Sequence, residues 1–256
     1  MIAPCLESVA SIKNIDYEII IVDNGSTDET SQIIASFTSL YPDITIKTIM
    51  LERNYGTTKS RNIGIRSISR DTDHVCILDS DTVINEDAVL ELIRALDQDE
   101  KNAITGPSMV NLAGEDLVSA KKIPTAFIKF CKAFPVRKIQ QIGEKKEKYV
   151  FRDGEDLYPV GYLISACWMI KRRLMDDIGM LDEKIFYSPE DVEYCVRTWE
   201  KGYRVVYCPK AKIIHATQRI SKKKLISRHN WEHIKGLFYF FRKYSLFFSN
   251  SQINCK

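Results

Sequence analysis

The spacing of apolar positions changes several times along this chain, and each change marks a switch between helix and strand. Leu6, Val9 and Ile12 recur at helical spacing. Residues 17–22 form a run of strand length that ends at Asp23, and residues 24–28 are turn formers. Ser26 and Glu29 have the spacing of a capping box, which predicts a helix through Ile33, Ile34 and Phe37. Residues 44–51 read as a strand, 59–68 as a helix and the run from Val75 to Leu78 as a second buried strand. A helix over 87–96, opened by Asn85-Glu86-Asp87, and a strand over 103–110 follow. Strands that alternate with helices through short loops predict an α/β fold, with a mostly parallel, Rossmann-like sheet flanked by helices.

After Gly114 the alternation fails. Residues 121–149 read as a helix plus a mobile loop, 163–170 as a strand and 189–201 as a helix with Val192, Cys195, Val196 and Trp199 in one stripe. Gly202 suits the position just past that helix. Short strands are predicted over 203–207 and 212–215, and a basic aromatic helix from Ser221 to about Phe241. Three regions result: a ligand-binding half over 1–114, a smaller region over 115–220 and a carboxyl-terminal helix and tail over 221–256.

Composition narrows the class. The 256 residues are 45% hydrophobic and 28% charged, ordinary values for a globular protein. The seven cysteines are scattered, with no C-x-x-C pair, which fits buried thiols in a reducing cytosol rather than a disulfide framework or a zinc site. No apolar run approaches the ~20 residues that span a bilayer. A net charge of +3 does not imply nucleic acid as a partner, but its distribution is uneven. Between Lys121 and Lys148 nine basic residues face two acidic ones, and between Lys210 and Lys243 ten face Glu232 alone.

The candidate chemistry centres on Asp79-Ser80-Asp81, at the end of the Val75 strand. Open α/β sheets bind ligands past the carboxyl ends of their strands. Residues i and i+2 of a strand point the same way. Two carboxylates so placed repel unless a hard divalent cation, such as Mg2+ or Mn2+, neutralises them, and Mg2+ is commonly shared with substrate phosphates. A loop acid and a helix cap are the plainer explanation. Asp23 is placed to accept a base N–H or a ribose hydroxyl, or is simply a turn former. Arg61, on a helix after a glycine loop, is placed to pair with a diphosphate, or is a solvated helix charge. Glu190-Asp191 opens a helix, where acids complement the dipole; functionally, Asp191 is a candidate general base. His215 ends an apolar strand and is either a core histidine or a third metal ligand.

Taken in order, Val22-Asp23-Asn24-Gly25-Ser26-Thr27-Asp28, Asn54-Tyr55-Gly56 with Arg61-Asn62-Ile63-Gly64, Leu78-Asp79-Ser80-Asp81, residues 186–193, Gly202-Tyr203-Arg204-Val205 and His215 resemble glycosyltransferase family 2, in its rhamnosyltransferase-like branch. The resemblance implies a GT-A fold and inverting transfer from a nucleotide-sugar, a dTDP- or UDP-sugar, to a hydroxyl of a glycan or lipid-linked acceptor in surface polysaccharide synthesis. It implies donor contacts at Asp23, Asn24, Arg61, Asp79, Ser80 and Asp81, and metal binding at Asp81 and Asp79 with His215. Asp191 would be the base, and Trp168 and Glu190 would meet the acceptor. Family members usually have Gly where this chain has Ser165, in the segment near the sugars. They also begin with a strand that this sequence lacks, so a first strand is expected upstream. A sugar nucleotidyltransferase is the second enzymatic reading, though the Gly-rich phosphate loop it usually shows is not seen. A non-catalytic nucleotide- or glycan-binding module is the third.

The carboxyl-terminal segment interleaves Lys222, Lys223, Lys224, Arg228, Lys235, Arg242 and Lys243 with aromatic residues. Trp231, Ile234, Leu237, Phe238 and Phe241 can share one helix face, while Tyr239, Phe240, Phe247 and Phe248 exceed what one buried face needs. This pattern predicts a cytoplasmic protein held peripherally on the inner, anionic face of the cell membrane. A cover for the sheet and a homodimer interface are the other ways to hide these rings.

Overall fold

The structure, a computed structural model, describes residues 2–151, 155–216, 228–253 and 255, with Arg228 and His229 described in their backbone alone. The amino-terminal half alternates as its apolar periods predict: α1 (Ile2–Ala10), β1 (Glu18–Asp23), α2 (Thr30–Leu40), β2 (Thr45–Met50), α3 (Thr57–Arg66), β3 (His74–Leu78), β4 (Thr82–Val83), α4 (Glu86–Asp97) and β5 (Asn102–Val110). Then come β6 (Asp116–Leu117), β7 (Ala120–Lys121), α5 (Ala126–Ala133), α6 (Arg137–Glu147), β8 (Tyr158–Pro159), β9 (Tyr162–Leu163), β10 (Cys167–Lys171) and α7 (Arg172–Ile178). The chain continues with α8 (Glu190–Glu200), β11 (Arg204–His215) and α9 (Arg228–Lys243).

A mixed sheet of seven strands runs β3-β10-β5-β11-β4, with β6 on β5 and β8 on β11. β1 and β2 form a separate parallel pair, and β7 and β9 an antiparallel one. Strand direction is more mixed than the early alternation suggests. β5 and β11 are parallel, but β10 lies antiparallel between β3 and β5. The crossover helices that enforce parallel pairing end at β5, and β10 returns from an irregular excursion, free to enter the sheet in the other direction.

Burial explains which residues hold this frame. α4 packs Ala88, Val89, Leu92, Ala95 and Leu96 on the sheet, and its Asn85 cap accepts Ala88 N–H at 2.8 Å. Every residue of β10 is buried. α8 buries the expected stripe of Val192, Cys195, Val196 and Trp199, and Gly202 takes φ +80° just beyond it. Five cysteines are buried, Cys255 is partly so and Cys76 is exposed; all are free thiols.

Several local expectations change. The capping box does not form: Glu29 is the α2 N-cap without a side-chain bond, and the Ser26 hydroxyl and N–H both donate to Asp23 Oδ1 instead. Residues 163–170 break into β9 and β10, because Ser165 and Ala166 turn their carbonyls to Arg61 and to Asp79 N–H. The two strands expected over 203–215 are one, β11, with a register shift between Cys208 and Lys212. Pro209 cannot donate to a ladder there, and the Ser108 hydroxyl donates to the carbonyls of Pro209 and Ala211. The basic stretch over 121–149 is ordered as two helices with β7 before them.

The carboxyl-terminal helix also sorts its rings differently. Phe240, Phe241, Tyr244 and Leu246 are core, so Phe240 is no surplus aromatic, whereas Trp231, Ile234 and Phe238 are 59%, 56% and 63% exposed. Residues 221–227, including Lys222, Lys223 and Lys224, lie outside the described residues. α9 crosses the start of α8 at Gly236, where a Cβ would stand 2.2 Å from the Ser188 carbonyl oxygen, so no larger side chain fits without separating the two elements. Glu193, wholly buried, fastens the same contact: Arg197 and Lys243 donate to it, each at 2.8 Å, as does the Tyr244 hydroxyl.

Candidate active site

Two strand ends and one helix start converge, and the end of β1 borders the loop tied to them. β1 ends at Asp23, which is buried and held by Ser26 as a rigid acceptor at the floor of its turn. Asn24 sits beside it and organises the next loop: it accepts Tyr55 N–H at 2.9 Å and donates to Asn54 Oδ1 and the Gly56 carbonyl. That loop leads into α3, whose Gly56 start has φ +90° and packs directly against Phe186. The loop before the α8 helix is thereby tied to the α3 start.

β3 delivers Asp79 and, after the exposed Ser80, Asp81. Two-residue β4 then pairs with the end of β11, placing Thr82 opposite His215. This brings His215 Nε2 to 3.3 Å from Asp81 Oδ1. Among the described residues, Asp79, Asp81 and His215 are the group able to hold a metal ion, with one ligand atom from each within 4.8 Å of the others. Electrostatics follow from that contact. The His215 hydrogen bond, against the opposing effect of burial, holds the Asp81 carboxyl below its ordinary value. Burial works to lower the His215 pKa, but Asp81 and Asp79 outweigh it and the net shift is upward. Two carboxylate oxygens and an imidazole nitrogen suit Mn2+ or Mg2+.

Arg61 occupies the centre. Its guanidinium donates to Asp79 Oδ1 at 2.7 Å, Ser165 Oγ at 2.8 Å, the Ser165 carbonyl at 3.1 Å and Glu190 Oε1 at 3.2 Å. Ser165 Oγ in turn donates to Glu190 Oε1 at 3.1 Å. Arg61 is thus no solvated helix charge; it bridges the two acidic motifs. Ser165, where a glycine is usual, supplies the hydroxyl between them, a bridging part that sequence reading missed. Burial and the neighbouring Asp191 carboxylate push the Glu190 carboxyl up, against the pull of Arg61 and Ser165.

Asp191 begins α8 half-buried, and its Oδ1 accepts its neighbour's Val192 N–H at 2.8 Å. Burial raises its pKa, while that hydrogen bond and the cations Lys121, Lys129 and Arg61 hold it down. A carboxylate with a raised pKa beside a cation bridge is suited to accept a proton. Trp168 is a correction. It is wholly buried, its indole N–H donates to the Leu163 carbonyl at 3.2 Å and its ring stacks on Tyr194, so it serves the core rather than an acceptor. Glu190 is likewise enclosed, 6% exposed, behind Arg61.

Known proteins share the family and the fold of this chain. A family model for glycosyl transferase family 2 matches residues 1–179. The dTDP-rhamnosyl transferase RfbF of Shigella flexneri is 24% identical over 209 residues, covering 81% of this chain and 62% of that protein. The chain therefore spans under two thirds of that relative's length. An N-acetylglucosaminyl-diphospho-decaprenol L-rhamnosyltransferase of Mycobacterium tuberculosis is 24% identical over 231 residues, 84% of this chain and 73% of that one. In fold, the chain is similar to GalNAc-T7 solved with UDP, GalNAc and Mn2+, with a TM-score of 0.67 at 14% identity over 93% of this chain and 44% of the other. It is also similar to the mannosyltransferase PcManGT from Pyrobaculum calidifontis solved with GDP-Man and Mn2+, with a TM-score of 0.61 at 16% identity over 94% and 59%. The sheet is thus of the GT-A type, and with the family match running from the first helix through α7, this chain belongs to glycosyl transferase family 2.

Proposed function

We propose that this transferase is inverting and metal-dependent, and that it moves a sugar, rhamnose by likeness to its relatives, from a dTDP- or UDP-sugar to a hydroxyl of an acceptor sugar carried on a lipid diphosphate. The observation that carries the reading is the separation of charge across Arg61. On one side stand Asp79, Asp81 and His215, a donor set for Mn2+ or Mg2+. On the other stands Asp191 at a helix start. A divalent cation held by those three residues would offset the charge that collects on the leaving diphosphate.

The chain's own residues supply the rest. Asp23 accepts a hydrogen bond from the donor's base, and Asn24 fixes the loop that borders it. Asp191 takes the proton of the acceptor hydroxyl. The acceptor hydroxyl's oxygen forms a bond to the anomeric carbon from the face opposite the diphosphate, and the bond from that carbon to the diphosphate oxygen breaks with its electron pair. The nucleoside diphosphate leaves, configuration inverts and no covalent enzyme intermediate forms.

A screen of nucleotide-sugars for nucleoside diphosphate release, with Mn2+ present, tests this reading. Release is expected with dTDP- or UDP-sugars and is abolished by EDTA. Asp81→Ala is expected to weaken metal-dependent donor binding by at least ~10–100-fold, the size of effect seen when even an outer-shell partner of a metal ligand is lost. Pyrophosphate release would instead mean nucleotidyl transfer, and binding without turnover a non-catalytic module.

We further propose that the enzyme works on the cytoplasmic face of the cell membrane. No helix among the described residues is long and apolar enough to cross a membrane. The exposed Trp231, Ile234 and Phe238 make a stripe along α9, with Lys235 5.7 Å from the Trp231 ring and Phe247 and Phe248 exposed beyond the helix. Aromatics flanked by cations suit an anionic headgroup layer, at about 1 kcal/mol per Lys or Arg near it. Co-sedimentation with anionic liposomes is expected to fall with salt, and to fall again in a Trp231→Ser/Phe238→Ser variant of unchanged thermal midpoint. Equal recovery with neutral and anionic vesicles at low salt removes the idea, and a doubled mass in solution would assign the stripe to a dimer.

A further inference from the structure

A second charged cluster lies on the acceptor side of Asp191, apart from the donor residues. Its centre is Glu147, 3% exposed at the end of α6. Lys129 donates to its Oε1 at 2.7 Å, Lys132 donates to its Oε2, and the Tyr162 hydroxyl donates to Oε1 at 3.2 Å. Lys121 pairs with Tyr162 across β7 and β9, and its ammonium lies 5.9 Å from the Tyr162 ring centroid. Glu147 therefore answers Lys129 and Lys132 directly, whereas Lys121 has no carboxylate within ion-pair distance among the described residues. Three ammonium groups against Glu147 and the nearby Asp191 leave a surplus of one positive charge. Asp191 feels Lys121 and Lys129 across the intervening space, which puts the surplus beside the base.

Partly buried cations lose hydration, and an unanswered one is costly unless an anion arrives. The donor's diphosphate belongs to the Asp79–Asp81–Arg61 side, so this surplus is left for a different anion. The surroundings indicate which. α5 turns Lys129 and Lys132 toward Glu147 and leaves Phe127 and Phe130 exposed, with Lys146 5.6 Å from the Phe127 ring. The first turns of α5 and the exposed Phe247 are joined, since Phe127 N–H donates to the Phe247 carbonyl at 3.0 Å. An aromatic rim thus borders the lysine cluster, and Asp191 lies within electrostatic reach of that cluster. A molecule built as lipid, diphosphate and sugar has its parts in that order.

We propose that Lys121, supported by Lys129, binds the phosphate that joins the acceptor's lipid to its sugar. This rests on the lipid-diphosphate acceptor proposed above. Lys129 and Lys132, fixed by Glu147, shape the wall, and Lys121 is the cation left available to the ligand. With the phosphate held there, the acceptor sugar lies next to Asp191, so the cluster selects acceptors with an anionic linkage and orients their hydroxyl.

Calorimetry on the whole chain tests it with three probes in EDTA: geranyl diphosphate, geraniol and inorganic pyrophosphate. A parallel titration with dTDP and Mn2+ reports the donor site. Geranyl diphosphate is expected to bind at least about tenfold more tightly than either geraniol or pyrophosphate, the scale of one charge-assisted hydrogen bond. Lys121→Gln is expected to remove that advantage and Lys121→Arg to keep it, with dTDP affinity unchanged within about twofold in both. Geranyl diphosphate binding no better than geraniol overturns the proposal even if no variant folds. So does equal binding by wild type and Lys121→Gln, or by geranyl diphosphate and pyrophosphate, the last marking a site for a free anion. Loss of dTDP binding with geranyl diphosphate binding retained would strike the transferase reading and leave this site standing.

Discussion

Asp191→Asn is expected to bind donor as wild type does and to transfer sugar about 10²–10⁴-fold more slowly, the usual contribution of a positioned general base. Asparagine keeps the shape and the Oδ1 that accepts Val192 N–H, so the start of α8 stays in place. What it cannot do is take a proton. The pH dependence gives a second readout. Burial raises the Asp191 pKa, so the acid limb of kcat/KM is expected above the ordinary aspartate value of about 3.9. Activity falls as pH falls through the raised value, because the base must be ionised. Stability has the opposite sign. A carboxyl whose folded pKa is raised contributes stability that is fully present below its unfolded value and lost as pH rises through the folded one. Asp191→Asn is therefore expected to be at least as stable as wild type at neutral pH, with the difference closing as the buffer is taken below about pH 4. Thermal midpoints across pH measure the one effect and initial rates the other. Undiminished turnover by Asp191→Asn would sink the base assignment.

What could be read from sequence was chemistry within a few residues of itself. The Val75 strand ends on Asp79 and Asp81 because a two-residue period places both acids together, and the structure brings them within reach of one ion. Asn85 caps α4 because an Asn at that position meets the N–H three residues on. His215 was visible as the end of an apolar run, although its partnership with Asp81 depends on β4, a strand too short to leave a pattern.

Competition and distance hid the rest. Ser26 had two acceptors or donors to choose from, Glu29 and Asp23, and a local pattern cannot rank them. Trp168 lay in a segment suited to sugars, yet both faces of β10 are buried, and only the strands on either side decide that. A single apolar face along α9 has no place for Phe240. The helix is in fact anchored by its last two turns and exposes its first ones. Glu147 did leave a signal, as one of two acids among nine bases. An isolated acid in such a stretch is costly to bury unless several of those bases converge on it, and that reasoning would have pointed to Lys129 and Lys132.

Arg61→Met is expected to destabilise the fold by about 3–5 kcal/mol and to abolish donor turnover, since removing one partner of a buried ion pair leaves the others uncompensated. The guanidinium, 13% exposed, serves three acceptor residues, separated from it by 18, 104 and 129 positions in sequence. Methionine fills similar volume and offers no donor. Asp79 then loses its anchor, and Glu190 faces Asp191 with only the Ser165 hydroxyl for company. The Glu190 carboxyl, already raised to about 8 by burial and by Asp191, moves further up, so it is ionised and uncompensated only at alkaline pH. The destabilisation is therefore expected to shrink as pH falls through that value, because protonation removes the unpaired charge. Arg61→Lys is expected to recover little: an ammonium is a single point charge and cannot span Asp79, Ser165 and Glu190 as a planar fork does. The double variant Arg61→Met/Glu190→Gln separates charge from shape. If the cost is an uncompensated carboxylate, adding Glu190→Gln restores a large part of the stability lost in Arg61→Met, a coupling measurable as a double-mutant cycle in urea at alkaline pH. Activity does not return, because Asp79 is still unheld beside Asp81. Arg61→Met that unfolds at the wild-type urea midpoint and still turns over donor would show that the bridge between the two acidic motifs is neither structural nor functional.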